Sequence, residues 1–129
     1  MTIPRPIARV LLVDDDDDIR TICALTLERV GRWEVTTASS GEEALRHATS
    51  TAFDLIVLDM MMPGMDGVDT LRALRACSTT SQVPVVFMTA KAHPQELQLF
   101  RDEGAAGVIA KPFDPLRLPQ EIERILREP

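Results

Sequence analysis

Residues 54–67 read Asp54-Leu-Ile-Val-Leu-Asp59-Met60-Met61-Met62-Pro63-Gly64-Met65-Asp66-Gly67, and the reading of this stretch decides the architecture. Positions 54–58 form a short, mostly apolar run with β-branched residues, the pattern of a strand buried on both faces. Such a strand belongs to a parallel sheet, whose crossover helices cover both sides. Pro63-Gly64 and Asp66-Gly67 are turn formers, and Asp66 is placed to cap a following helix by accepting from its free N–H groups.

The same signal recurs to either side. Residues 8–13, 83–88 and 107–110 are further apolar runs of strand length, while residues 33–38 alternate more and read as an edge strand. Helical spacing fills the intervals. Ile19, Ile22, Cys23, Thr26 and Val30 fall on one stripe at offsets of three and four, and Leu118, Ile122, Ile125 and Leu126 form another near the C-terminus. Ser40-Gly-Glu-Glu43 has the form of a capping box, His93-Pro94 and Asp114-Pro115 place proline at first helical turns, and Gly104 suits a helix stop. Five strands alternating with five helices through short connections imply a doubly wound five-stranded parallel sheet in a three-layer α/β sandwich, with right-handed crossovers.

At 129 residues the chain fits one domain, with a core from about residue 8 to 127 and no interdomain linker, repeat or low-complexity tract. Two cysteines, Cys23 and Cys77, make neither a disulfide framework nor a zinc site and are expected to stay reduced and inert. The N-terminal residues lack a signal-peptide apolar core, and no segment approaches membrane-spanning length, so a cytoplasmic protein is expected. A formal net charge of −6 argues against direct binding of nucleic acid, which needs clustered Lys and Arg.

In open parallel sheets, ligands bind beyond the carboxyl ends of the strands. Asp14 and Asp15 follow the first strand, Asp59 the third, Thr89 the fourth and Lys111 the fifth. Three carboxylates in one place repel one another unless a cation joins them. Mg²⁺ suits them, since it takes oxygen ligands, keeps several waters and uses one or two carboxylates. Asp15 and Asp59 are the expected direct ligands, and Asp14 is placed to hold a metal-bound water. An aspartate can also attack phosphorus to form an acyl phosphate, and Asp59 is the best placed to do so. The Lys111 ammonium and Thr89 hydroxyl would then meet the charge on the phosphoryl oxygens.

These segments, Leu11-Leu-Val-Asp-Asp15, the 54–67 stretch, Val85-Val-Phe-Met-Thr-Ala90 and Ala110-Lys-Pro-Phe113, together resemble the response-regulator receiver family over nearly the whole chain. The resemblance implies a flavodoxin-like sheet of strand order 2-1-3-4-5. It further implies that residues 1–129 are one receiver domain without an output domain, that Asp59 is the phosphoacceptor, and that Asp14 and Asp15 are the acidic pair. Thr89 would be the switch hydroxyl, Lys111 the phosphate partner, and the Met61 carbonyl a third ligand of Mg²⁺. A cis bond between Lys111 and Pro112 belongs to the same pattern and would aim Lys111 inward. The implied partners are a histidine kinase or histidine phosphotransfer protein, and a downstream protein at the face of the fourth helix, fifth strand and fifth helix. The implied state is a monomer or a phosphorylation-dependent dimer, with no enzymatic turnover beyond self-phosphorylation and autodephosphorylation at Asp59.

One position departs from the family. Val108 stands where receivers usually carry the Tyr or Phe that reports phosphorylation, so the loop from Thr89 to Lys91 would signal directly or the output would switch less strongly. Met61 and Lys91 occupy the positions that tune phosphoryl lifetime. The departure motivates one rival, a receiver-like module that binds partners without phosphorylation. A small aspartyl-phosphate hydrolase with its nucleophile after the first strand is a second rival, disfavoured because the chain has no length for a cap domain. A flavodoxin-like cofactor binder is a third, disfavoured because five consecutive aspartates would repel a phosphate. Asp16, Asp17 and Asp18 read simply as a dipole-favoured helix start. Met60, Met61, Met62 and Met65 read as packing and loop contacts and not as a metal site, and His47 and His93, with no partner spaced for catalysis or zinc, are assigned no role.

Overall fold

The computed structural model describes residues 7–91 and 93–127; the N-terminal segment inspected for a targeting signal, through Pro6, lies outside them. In chain order the elements are β1 (Arg9–Val13), α1 (Asp17–Arg29), β2 (Glu34–Ala38), α2 (Gly41–Ser50), β3 (Leu55–Asp59), α3 (Gly67–Ala76), β4 (Val85–Thr89), α4 (Pro94–Asp102), β5 (Gly107–Ala110), a single 3₁₀ turn (Pro115–Arg117) and α5 (Leu118–Arg127). All strand pairs are parallel and the sheet order is β2-β1-β3-β4-β5, the order expected.

Alternation along the strands sorts their side chains into two cores. Leu11, Val13, Ile56, Leu58, Val85 and Phe87 face α2, α3 and α4 through Ala44, Ala48, Leu71, Leu74 and Phe100. Val10, Leu12, Leu55, Val57, Val86 and Met88 face α1 and α5 through Cys23, Leu27, Leu118, Ile122 and Ile125. Every residue of β3 and β4 is buried, whereas β2 at the edge is mostly half-exposed.

Local chemistry moved several boundaries. The fourth strand begins at Val85 and not at Val83, because Pro84 has no N–H to give the ladder. It ends on Thr89, and β3 ends on Asp59, so both polar residues are the last rungs of their strands and not loop residues. On α1 the stripe turned slightly. Ile22 and Val30 are 50% and 54% exposed while Leu27 is fully buried, because the packed arc centres on Cys23 and Val30 is the cap residue at the helix end. Ser40 Oγ accepts from the Glu43 N–H as expected, but the Glu43 carboxylate reaches back to the N–H of Ser39 and not of Ser40. The complete capping box is at α3, where Asp66 and Asp69 each accept the other's backbone N–H. The last helix opens with the 3₁₀ turn, capped by Asp114.

Candidate functional site

The carboxyl ends of β1, β3, β4 and β5 bring Asp14, Asp59, Thr89 and Lys111 to one edge of the sheet, as the sequence positions required. Lys111 Nζ donates to Asp59 Oδ1 at 3.2 Å and to Asp14 Oδ2 at 3.3 Å. Its peptide bond to Pro112 is cis. Asp14 is fully buried, and its other carboxylate oxygen accepts from the Asp16 N–H at 2.9 Å. Asp15 is exposed, and no hydrogen bond or ion pair holds its carboxylate among the described residues. Carboxylate oxygens of Asp14, Asp15 and Asp59 all lie within 4.8 Å of one another.

Asp59 is asymmetric. Its Oδ1 accepts both from Lys111 and from the Met61 N–H, while Oδ2 accepts no hydrogen bond among the described residues and is not enclosed. Its pKa is raised from 3.8 to about 6, by burial first and by the Asp14 charge second, with the Lys111 charge and hydrogen bond and the Met61 N–H pulling against the rise. Burial alone would lower the Lys111 pKa, but Asp14 and Asp59 outweigh it and hold the ammonium protonated. At neutral pH the site therefore holds an ionised Asp59 facing a cation, with Asp14 behind it.

Thr89 is buried and its hydroxyl oxygen accepts from the Lys91 N–H at 3.0 Å, so the hydroxyl is tied to its own loop. The Lys111 N–H in turn donates to the Thr89 carbonyl at 2.8 Å, the rung that sets these two side chains on adjacent strands. Met61, two residues after Asp59, is 57% exposed. Val108 is half-buried against the core that contains Phe87 and Phe100.

A cation fits the donor set. Three oxygens of three carboxylates within one ion's reach, with an acceptor acid whose acidity is weakened partly by its neighbour's charge, form a site that a hard divalent ion would relax. The Cys23 thiol beside the site is held protonated, pushed up to about 11 by burial and then by Asp14.

Two contributors lay outside the sequence candidates. Arg20 donates to the Asp14 carbonyl at 2.9 Å and to the Asp17 carboxylate; the one available signal was a basic residue directly after a run of five acids. Gly67, which reads in the sequence as a turn former beside Asp59, packs so closely that a Cβ there would stand 2.9 Å from the Asp59 carbonyl oxygen and 2.8 Å from Met60 Cα, a close approach that its turn signal does not specify.

The profile of the family described as "Response regulator receiver domain" matches residues 10–123. The alkaline phosphatase synthesis transcriptional regulatory protein PhoP of Bacillus subtilis is 39% identical over 119 residues, covering 92% of this chain and 48% of that protein. The transcriptional regulatory protein PrrA of Mycobacterium leprae is 40% identical, with coverage of 92% and 50%. The chain thus spans about half the length of these curated relatives. Among solved structures, the chemotaxis response regulator CheY4 of Vibrio cholerae superposes with a TM-score of 0.86 at 37% identity, covering 92% of this chain and 98% of that one.

Proposed function

The chain belongs to the response regulator receiver domain family, and on that premise we propose that Asp59 accepts a phosphoryl group from a phosphohistidine of a histidine kinase or phosphotransfer protein. The observation that carries the proposal is the division of labour on Asp59: Oδ1 is held by Lys111 and Met61, and Oδ2 is left open to attack. Attack by Oδ2 on phosphorus would form the new P–O bond as the P–N bond to the donor imidazole breaks, and the nitrogen keeps the electron pair. The Lys111 ammonium would follow the charge onto a phosphoryl oxygen, and the Thr89 hydroxyl would exchange its place on the loop for a hydrogen bond to another. Bound Mg²⁺ would supply charge neutralisation, held by Asp15, Asp59 and the Met61 carbonyl, with Asp14 contributing through a water.

Movement of Thr89 releases the Lys91 N–H, which links acceptance of the group to the segment entering α4. The proposed readout is altered binding of a protein partner at the face of α4, β5 and α5, or pairing of two copies there. The names of the relatives bring in transcriptional control as the setting for such a receiver, in a cytoplasmic protein; no described helix is long and apolar enough to cross a membrane. Direct contact with nucleic acid is not proposed for this acidic unit.

Burial of both Asp14 carboxylate oxygens in contacts speaks against a hydrolase that uses Asp14 as nucleophile. Val108 alone favours the passive binding module, and equal partner affinity with and without beryllium fluoride would support it. The decisive experiment is intact-mass measurement after incubation with acetyl phosphate and Mg²⁺. Wild type should gain the mass of one phosphoryl group and Asp59→Asn none; equal labelling of both would refute Asp59 as acceptor.

A further inference from the structure

We infer that Arg20 is a positioning residue for the cation site, holding the Asp14–Asp15 backbone so that the Asp15 carboxylate points at Asp59. The inference rests on the proposed Mg²⁺ site and adds a residue to it. Asp15 is the one acid of the cluster whose carboxylate makes no hydrogen bond or ion pair among the described residues. Its direction is therefore set by the backbone that carries it. Three bonds hold that backbone at Asp14: its N–H donates to the Ala38 carbonyl at 3.1 Å, its side chain accepts the Asp16 N–H, and its carbonyl accepts from Arg20 Nη1 at 2.9 Å. The last of these fixes the peptide plane between Asp14 and Asp15, because its oxygen is the one that Arg20 grips.

An ordinary surface arginine at this place would stop at its pair with Asp17, one helical turn away. Arg20 does more. Its side chain is only 20% exposed, against 84% for Asp17, and its second arm runs back past the N-terminus of α1 into the loop. The planar guanidinium presents two nitrogens in a fixed geometry, Nη1 to the Asp14 carbonyl and Nη2 to Asp17, a spacing that a single ammonium nitrogen does not offer. It also places a cation beside the acidic run Asp14–Asp18, bound to the Asp14 carbonyl and the Asp17 carboxylate.

The test is Mg²⁺ binding by calorimetry to unphosphorylated wild type, Arg20→Ala, Arg20→Lys and Asp17→Ala, with backbone NMR of the Asp15 amide in each. Arg20→Ala should bind Mg²⁺ about tenfold more weakly, the usual consequence of losing a residue that orients a ligand. Arg20→Lys should recover part of the loss, and Asp17→Ala should stay within about twofold of wild type, since an exposed charge is screened. The Asp15 amide should shift in both Arg20 variants and not in Asp17→Ala. Equal affinity of Arg20→Ala and wild type would overturn the role of Arg20, as would an equal loss in Asp17→Ala. Absence of Mg²⁺ binding by wild type would instead overturn the cation site itself. Should Arg20→Ala fail to fold, Arg20→Lys decides: wild-type affinity with an unmoved Asp15 amide refutes the inference.

Discussion

Lys111 Nζ stands 3.2 Å from Asp59 Oδ1, a contact that bridges 52 residues of chain and passes over β4, which lies between their strands. The same ammonium reaches Asp14, so one cation balances two buried acids that would otherwise repel each other.

Replacing Lys111 by Met should raise the Asp59 pKa above about 6, because both the charge and the hydrogen bond that lower it are lost. Titration of the Asp59 carboxyl carbon by NMR measures it. A pKa unchanged or lowered in Lys111→Met would contradict the assignment. Phosphorylation by acetyl phosphate should slow in the same variant.

Asp59 also predicts a pH-dependent stability. Its carboxyl keeps a proton to higher pH in the fold than in the unfolded chain, so its favourable contribution is fully present below the ordinary value of 3.8 and is lost as pH rises through about 6. In metal-free urea unfolding, the stability of Asp59→Asn relative to wild type should therefore grow by roughly 2 kcal/mol between about pH 4.5 and about pH 7.5. A gap that shrinks as pH rises would have the wrong sign. Added Mg²⁺ should stabilise wild type more than Asp59→Asn.

Gly67→Ala should disturb the acceptor from a distance. Its Cβ would meet Met60 Cα at 2.8 Å, the Asp59 carbonyl oxygen at 2.9 Å and the Phe87 ring at 3.0 Å, two of them backbone atoms that cannot turn aside. The strain, about 1–3 kcal/mol, should exceed the gain of about 1 kcal/mol from replacing a helical glycine. Lower thermal stability together with slower labelling of Asp59 is the expected result.

Thr89→Ala should separate acceptance from signalling. Among the described residues the hydroxyl accepts a hydrogen bond from the Lys91 N–H and makes none with Asp59 or Lys111. The variant should still gain the phosphoryl mass, while the shift of the Lys91 amide on adding beryllium fluoride, read by NMR, should be largely lost. A full wild-type shift would show that the loop moves without Thr89.

The order of elements was readable because each depends on neighbours in sequence: apolar runs for β3 and β4, Asp66 and Ser40 for helix starts, Gly104 with φ of 102° for a stop. The acids, the hydroxyl and the lysine were readable because a parallel sheet delivers the ends of its strands to one edge. The exposure of Ile22, the start of β4 after Pro84 and the shifted arm of Glu43 escaped, since each turns on a fraction of a helical turn or a single N–H.

By itself, then, the chain's one-dimensional pattern determined the α/β architecture, the sheet's burial on both faces and the set of polar residues at its carboxyl edge. Tertiary structure alone decided which oxygen of Asp59 stays open, that Lys111 spans two acids, that Arg20 grips the Asp14 carbonyl and that Gly67 must lack a side chain. Periodicity and capping act over a few residues and leave a local trace, whereas these contacts are distances of about 3 Å between groups whose orientation only the packed cores set.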